Sequence, residues 1–165
     1  MVSDSVSSGQ KQDISGRLIV ERLEKEGVTV SQYKVVPDDD ITVEATLKEY
    51  ADRSHFDLVF TTGGTGLGPR DRTPEVMERV VDLDIPGIAE TARAYGQERM
   101  PMAMLSRAKA GVRGKTLIIN LPGSSRAVNE SLNALLPSVF HTVVILTGAG
   151  HGEPPQAQKG DHSKK

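Results

Sequence analysis

Apolar residues recur along this chain at two alternating periods, and the alternation predicts an α/β protein. Ile14, Leu18, Ile19 and Leu23 fall on one side of a helix ending near Glu26, with Asp13 or Ser15 placed to cap it and Gly27 to stop it. Val28 to Val36 is rich in β-branched residues and reads as a strand ended by Pro37. A second helix runs from about Ile41 to Arg53, with Val43, Leu47, Tyr50 and Ala51 on a shared face and one acid of the Asp38-Asp39-Asp40 run as its cap. Phe56 to Thr62 supplies the next strand. Thr73-Pro74-Glu75 then opens a helix with a capping hydroxyl, a proline in first position and an early acid, and Val76, Val80 and Leu83 face inward.

Beyond it, Pro86 to about Glu98 is helical, and Met100 to Ala110 has no assignable period. Gly111-Val112-Arg113-Gly114 reads as a turn and Lys115 to Leu121 as a buried strand. Pro122-Gly123-Ser124-Ser125 turns that strand into a helix carrying Val128, Leu132, Leu135 and Leu136, and a last, separate helix spans roughly Pro137 to Leu146. At the start, Met1 to Gln12 is mostly small and polar and reads as loop. Strands alternating with amphipathic helices predict a three-layer α/β/α domain around a mostly parallel sheet, with ligands beyond the carboxyl ends of the strands.

Composition narrows the picture. The chain has 165 residues, the size of one domain, assigned to residues 1–148; residues 149–165 are polar, lack apolar periodicity and read as a disordered tail. Its 20 basic and 22 acidic residues leave no broad cationic face for a nucleic-acid backbone. Cysteine is absent, which excludes disulfides and thiolate chemistry. No apolar run approaches the roughly 20 residues that cross a bilayer, so the expected location is cytoplasmic, with no membrane insertion.

The richest candidate chemistry lies between Thr61 and Glu75, where glycines, hydroxyls and one acid join a strand to a helix. Glycines lacking Cβ let main-chain N–H groups approach an anion, and a helix start favours bound negative charge. The spacing is neither a Walker loop nor a Rossmann fingerprint. A plain strand-to-helix turn also uses glycine, but Thr62, Thr65, Arg70, Asp71 and Thr73 favour a ligand loop. An acid of the 38–40 cluster, Asp38 by position, would meet Asp71 across the crevice and hold Mg²⁺, although ordinary helix capping explains one member of that cluster equally well. Gly123 and Ser124 form a second candidate cradle, whose plain alternative is a helix cap. Ser106-Arg107 offers a hydroxyl and a guanidinium for phosphate, although such a pair is far commoner on a solvated surface and composition does not assign the site, and Met100, Met102 and Met104 suit an interior or a subunit contact. The four histidines lack metal-site spacing.

Taken in order, these blocks resemble the molybdopterin adenylyltransferase family, the MogA and MoaB proteins and the plant and gephyrin-type G domains. Val2-Ser3-Asp4 with Asp13-Ile14-Ser15-Gly16 is similar to the family's opening, Val36-Pro37-Asp38 to its proline-acid turn, and Thr61 to Pro74 to its glycine loop. Met104 to Arg107 and Gly111 to Ser124 continue the likeness, which extends from Val2 to about Leu146. The resemblance implies a trimeric α/β domain that binds ATP, Mg²⁺ and molybdopterin and transfers AMP to the pterin's phosphate, with a molybdenum-insertion protein as a further partner. It places Asp38 and Asp71 at the metal and the chemistry, Thr62, Gly63, Gly64, Thr65, Gly66 and Thr73 around phosphate, and Ser3, Asp4, Ser106, Pro122, Gly123 and Ser124 along the substrate pocket. It also implies an apolar strand ahead of Val2-Ser3-Asp4, of which Met1 and Val2 are present, so a shortened central strand is expected. A non-catalytic molybdopterin-binding or scaffold module is the alternative.

Overall fold

A computed structural model describes residues 1–148 of the protein, and the tail expected at 149–165 lies outside them. Four strands, β1 (Leu58–Thr62), β2 (Leu83–Asp84), β3 (Ala110–Arg113) and β4 (Thr116–Leu121), form a sheet in the order β1-β4-β3-β2. Six α-helices accompany them: α1 (Asp4–Ser7), α2 (Ile14–Lys25), α3 (Asp40–Lys48), α4 (Thr73–Val80), α5 (Pro86–Gln97) and α6 (Ser125–Leu146). The sheet is mixed: β1 and β4 run parallel, with Leu58 opposite Leu117 and Thr62 opposite Leu121, whereas β3 is antiparallel to both β4 and β2.

The central strand β4 is buried at every position, as an apolar run predicts. Its pleat divides the core. Leu117, Ile119 and Leu121 pack with Ile19 and Leu23 of α2 and Val128, Leu132 and Leu135 of α6, while Ile118 packs with Val43, Leu47, Val76, Met77 and Val80 of α3 and α4. The expected three layers result. Leu132 is fully buried on α6, so Leu132→Ala is expected to cost about 2–5 kcal/mol, checked by urea unfolding.

Several expectations are corrected by long-range contacts. Met1 to Gln12 is not all loop: Val2 is buried and forms a one-residue parallel bridge with Val36, and α1 follows with Ser3 as its cap. Val2 N–H donates to the Thr62 carbonyl at 2.9 Å, and Val36 N–H donates to the Met1 carbonyl at 2.9 Å. The shortened central strand is therefore a single bridging residue. Residues 28–35, despite their β-branched composition, join no strand ladder; residues 28–34 and β1 line one cavity of about 230 Å³.

Gly111 lies in β3 and not in a turn. A Cβ there would stand 2.7 Å from the Leu83 carbonyl oxygen, so the glycine serves close strand approach, and the turn falls at Gly114 and Lys115. The last two predicted helices are one: α6 runs on through residue 137, its buried stripe from Val128 to Val139 outweighing the missing proline N–H. Two inward assignments fail, since Ile14 in the first turn of α2 and Leu83 on β2 are 66% and 61% exposed. Met100 and Met102 are 37% and 65% exposed and Met104 69%, around a 3₁₀ turn at Pro101–Leu105, which excludes an interior role within the chain.

Candidate active site

Parallel pairing of β1 with β4 brings their carboxyl ends, and hence two turns from distant parts of the chain, side by side. Gly63 (φ +104°) and Gly64 (φ +65°) follow β1 in left-handed conformations open to glycine. A Cβ on Gly123, after β4, would lie 3.4 Å from the Gly63 Cα. Thr62 Oγ1 donates to the Pro122 carbonyl at 2.6 Å, and the buried Asn120 Nδ2 donates to Thr61 Oγ1 at 2.9 Å and the Gly63 carbonyl at 3.3 Å. Ser15 Oγ donates to the Gly123 carbonyl at 2.8 Å, fixing the start of α2 to the same turn.

The glycine loop folds over Asp71. Its Oδ2 accepts from Gly68 N–H at 2.9 Å, and a Cβ on Gly66 or Gly68 would stand 2.8 or 2.7 Å from that oxygen. These two glycines make room for a carboxylate. Gly64 leaves space for Thr73 in the same way, with a Cβ only 2.1 Å from Thr73 Oγ1. Thr73 is consequently buried as the first residue of α4 and is not its cap; Arg72 holds the cap position without a side-chain bond.

The acidic run separates by task. Asp39 caps α3 through Thr42 N–H at 2.9 Å, and Asp40 pairs with Arg72 and Arg79 at 3.1 and 3.0 Å. Asp38 instead turns to the chain start: Asp4 N–H donates to Asp38 Oδ2 at 2.7 Å, and Asp38 N–H donates to Asp4 Oδ1 at 2.9 Å. Arg70 from the glycine loop pairs with Asp4 at 2.6 Å. Burial raises the Asp38 pKa above the ordinary carboxylate value; the negative charges of Asp4 and Asp71 add to it, against the bond from Asp4 N–H and the charge of Arg70. The charge of Asp71, the least of these influences, reaches Asp38 across 33 positions of chain (71 minus 38).

Ser106 lies with Asn120, Pro122 and Ser124 around a cavity of about 210 Å³ whose other walls include Ile88 and Met100. Ser124 Oγ also accepts from Ala127 N–H at 3.2 Å, so it caps α6 as its plainer reading required, and Ser3 Oγ caps α1 through Val6 N–H at 3.4 Å. Thr65 is buried, and its carbonyl accepts from Arg107 N–H at 2.9 Å, which ties the Ser106 segment to the glycine loop. Among the described residues, no group of three or more histidine or acidic donors is gathered as a metal cage. No helix among them is long and apolar enough to cross a membrane.

A family model described as "Probable molybdopterin binding domain" matches residues 1–141. The chain belongs to that family. The molybdopterin adenylyltransferase of Helicobacter pylori strain 26695 is 39% identical over 148 residues, covering 88% of this chain and 84% of that protein. The molybdenum cofactor biosynthesis bifunctional protein of Chlorobaculum tepidum is 36% identical over 92% of this chain but only 48% of its own length, so the chain spans about half of that relative. The crystal structure of the molybdopterin biosynthesis enzyme MoaB from Thermus thermophilus superposes with a TM-score of 0.84 at 46% identity, covering 89% of this chain and 92% of that one.

Two residues at these loops carry more than their sequence suggested. Asn120 lies within an apolar strand, yet it is 1% exposed and its Oδ1 has no hydrogen-bond partner among the described residues. A lone amide in a run of buried aliphatics was the available signal. Arg107, whose role composition left open between phosphate contact and solvated surface, has its guanidinium bound to the Gly66 and Asp71 carbonyls and the Glu75 carboxylate.

Proposed function

We propose that this chain is a molybdopterin adenylyltransferase of molybdenum-cofactor biosynthesis, a nucleotidyltransferase acting on ATP and molybdopterin. A phosphate oxygen of molybdopterin attacks the α-phosphorus of ATP, the bond from that phosphorus to the bridging oxygen breaks, and pyrophosphate leaves with the bonding pair. The nucleophile is already an anion, so the site needs alignment and charge neutralisation more than a strong base. The carrying observation is the apposition of the Gly63 and Gly123 turns at the carboxyl ends of β1 and β4. Family membership and the Helicobacter pylori relative support the same reading.

In this reading the Gly63, Gly64, Thr65 and Gly66 backbone receives ATP phosphates, while Thr62 and Thr73 hold the loop from within. Ser106, Pro122, Gly123 and Ser124 line the pterin side. Ser3 and Asp4 set the position of Asp38. In this reading Asp38 and Asp71 would hold Mg²⁺: burial disfavours Asp38 as an anion, with the charges of Asp4 and Asp71 adding to it, and hard oxygen donors suit an ion that completes its shell with water and phosphate. Bound there, Mg²⁺ would neutralise phosphate charge.

The exposed Met102, Met104 and Leu105 support a homotrimer contact, checked by light scattering. The adenylylated product would pass to a molybdenum-insertion activity on a partner. Incubating the purified chain with ATP, Mg²⁺ and molybdopterin should yield adenylylated pterin by mass spectrometry together with pyrophosphate. A folded sample that binds both substrates and makes no product would remove the transferase reading in favour of a binding module.

A further inference from the structure

Arg107 is bonded to the glycine loop at both of its ends. Its main-chain N–H donates to the Thr65 carbonyl at 2.9 Å and its Nε donates to the Gly66 carbonyl at 2.9 Å. Nη2 donates to the Asp71 carbonyl, and Nη1 donates to the Glu75 carboxylate in the first turn of α4. Thus one residue spans the segment from Thr65 to Glu75, and the bond holds the Glu75 carboxyl below its ordinary pKa.

The pattern has a chemical consequence. A carbonyl oxygen bound to a guanidinium is less free to repel an incoming phosphate, and a held Asp71 main chain limits where its carboxylate can go. Several donors in one rigid plane are needed to reach both carbonyls and the carboxylate together; a lysine ammonium offers no such fork. Ser106, the adjacent residue, lines the cavity on the other side, so the brace also ties that wall to the loop.

We propose that Arg107 is a positioning residue for adenylyl transfer, acting through Asp71 by bracing the glycine loop; its catalytic part rests on the transferase reading above. Both Arg107→Ala and Arg107→Lys should lower kcat about 30- to 100-fold, the scale on which small misplacements act, with the KM for molybdopterin within about threefold. Combined with Asp71→Asn, Arg107→Ala should add no more than about a threefold loss, because both changes act through one group. Losses that multiply would overturn the assignment.

Amide hydrogen exchange without substrates gives a second readout. The Gly68 and Asp71 N–H groups bond to Asp71 Oδ2 and the Gly68 carbonyl, and in both variants they should exchange at least about tenfold faster while Ile118 in the core keeps its rate. Unchanged loop exchange would refute the brace. Wild-type turnover judges the transferase reading, and the exchange comparison judges Arg107 even where that reading fails.

Discussion

Asp71→Asn is expected to lower adenylyl transfer by about 10² to 10³, the range found when one preorganised electrostatic group is removed from a reacting centre. The substitution is close to isosteric, and the retained amide oxygen can still accept the Gly68 N–H bond that Asp71 Oδ2 makes at 2.9 Å. The room left by Gly66 and Gly68 also stays correctly filled. Only the charge is lost. Folding measured by circular dichroism should therefore be near native, and molybdopterin binding by calorimetry should persist. The loss should fall on kcat and on the Mg²⁺ dependence of ATP binding. Wild-type turnover in Asp71→Asn would contradict the role given to this carboxylate and leave Asp38 without its partner.

The reason for naming Asp71 was visible in the chain, but the reason for naming Asp38 was less so. A lone acid inside a glycine loop has few structural duties. Three consecutive acids before a helix have several, and only tertiary contacts distribute them: Asp39 to Thr42, Asp40 to two arginines, Asp38 to Asp4. Arg107 shows the same limit. Its bond to Gly66 crosses 41 positions of chain, and no local pattern distinguishes a guanidinium facing a ligand from one facing a loop.

Elements followed a parallel rule. The helix α2 was legible because Asp13 accepts from Gly16 N–H at 2.7 Å and Gly27 ends it with φ +79°: start, face and stop all lay within one stretch. The strand β4 was legible because burial on both faces leaves an unbroken apolar run. Residues 28–35 carried strand composition without a neighbour to pair with, and α6 carried a proline that a continuous buried face overrode. Composition reports preference; hydrogen-bond partners and packing decide the outcome. The loops of the site are the least local part of all, since the β1 and β4 turns meet only after the sheet has formed.

That dependence makes Gly63 the most sensitive position of the cradle. Its φ is +104°, and an added Cβ would lie 2.2 Å from the Val2 carbonyl oxygen. Val2 cannot readily retreat, because its N–H bonds to the Thr62 carbonyl and its neighbours Met1 and Ser3 both bond to Val36. Gly63 is itself held by its N–H to the Leu121 carbonyl at 3.0 Å. Gly63→Ala is therefore expected to cost at least about 3 kcal/mol, combining left-handed strain with displacement of backbone on one side of the turn. ATP binding should be lost with it, because the turn that meets Gly123 must move. Gly27→Ala supplies the comparison: φ there is +79°, but nothing lies within 4 Å of the new Cβ, so only the conformational penalty of about 1–2 kcal/mol applies and ligand binding should survive. Denaturant unfolding and calorimetric titration of both variants separate the two terms. Equal costs would mean that Val2 does not hold this turn, and that the proposed anion cradle does not depend on the contact between the chain start and the end of β1.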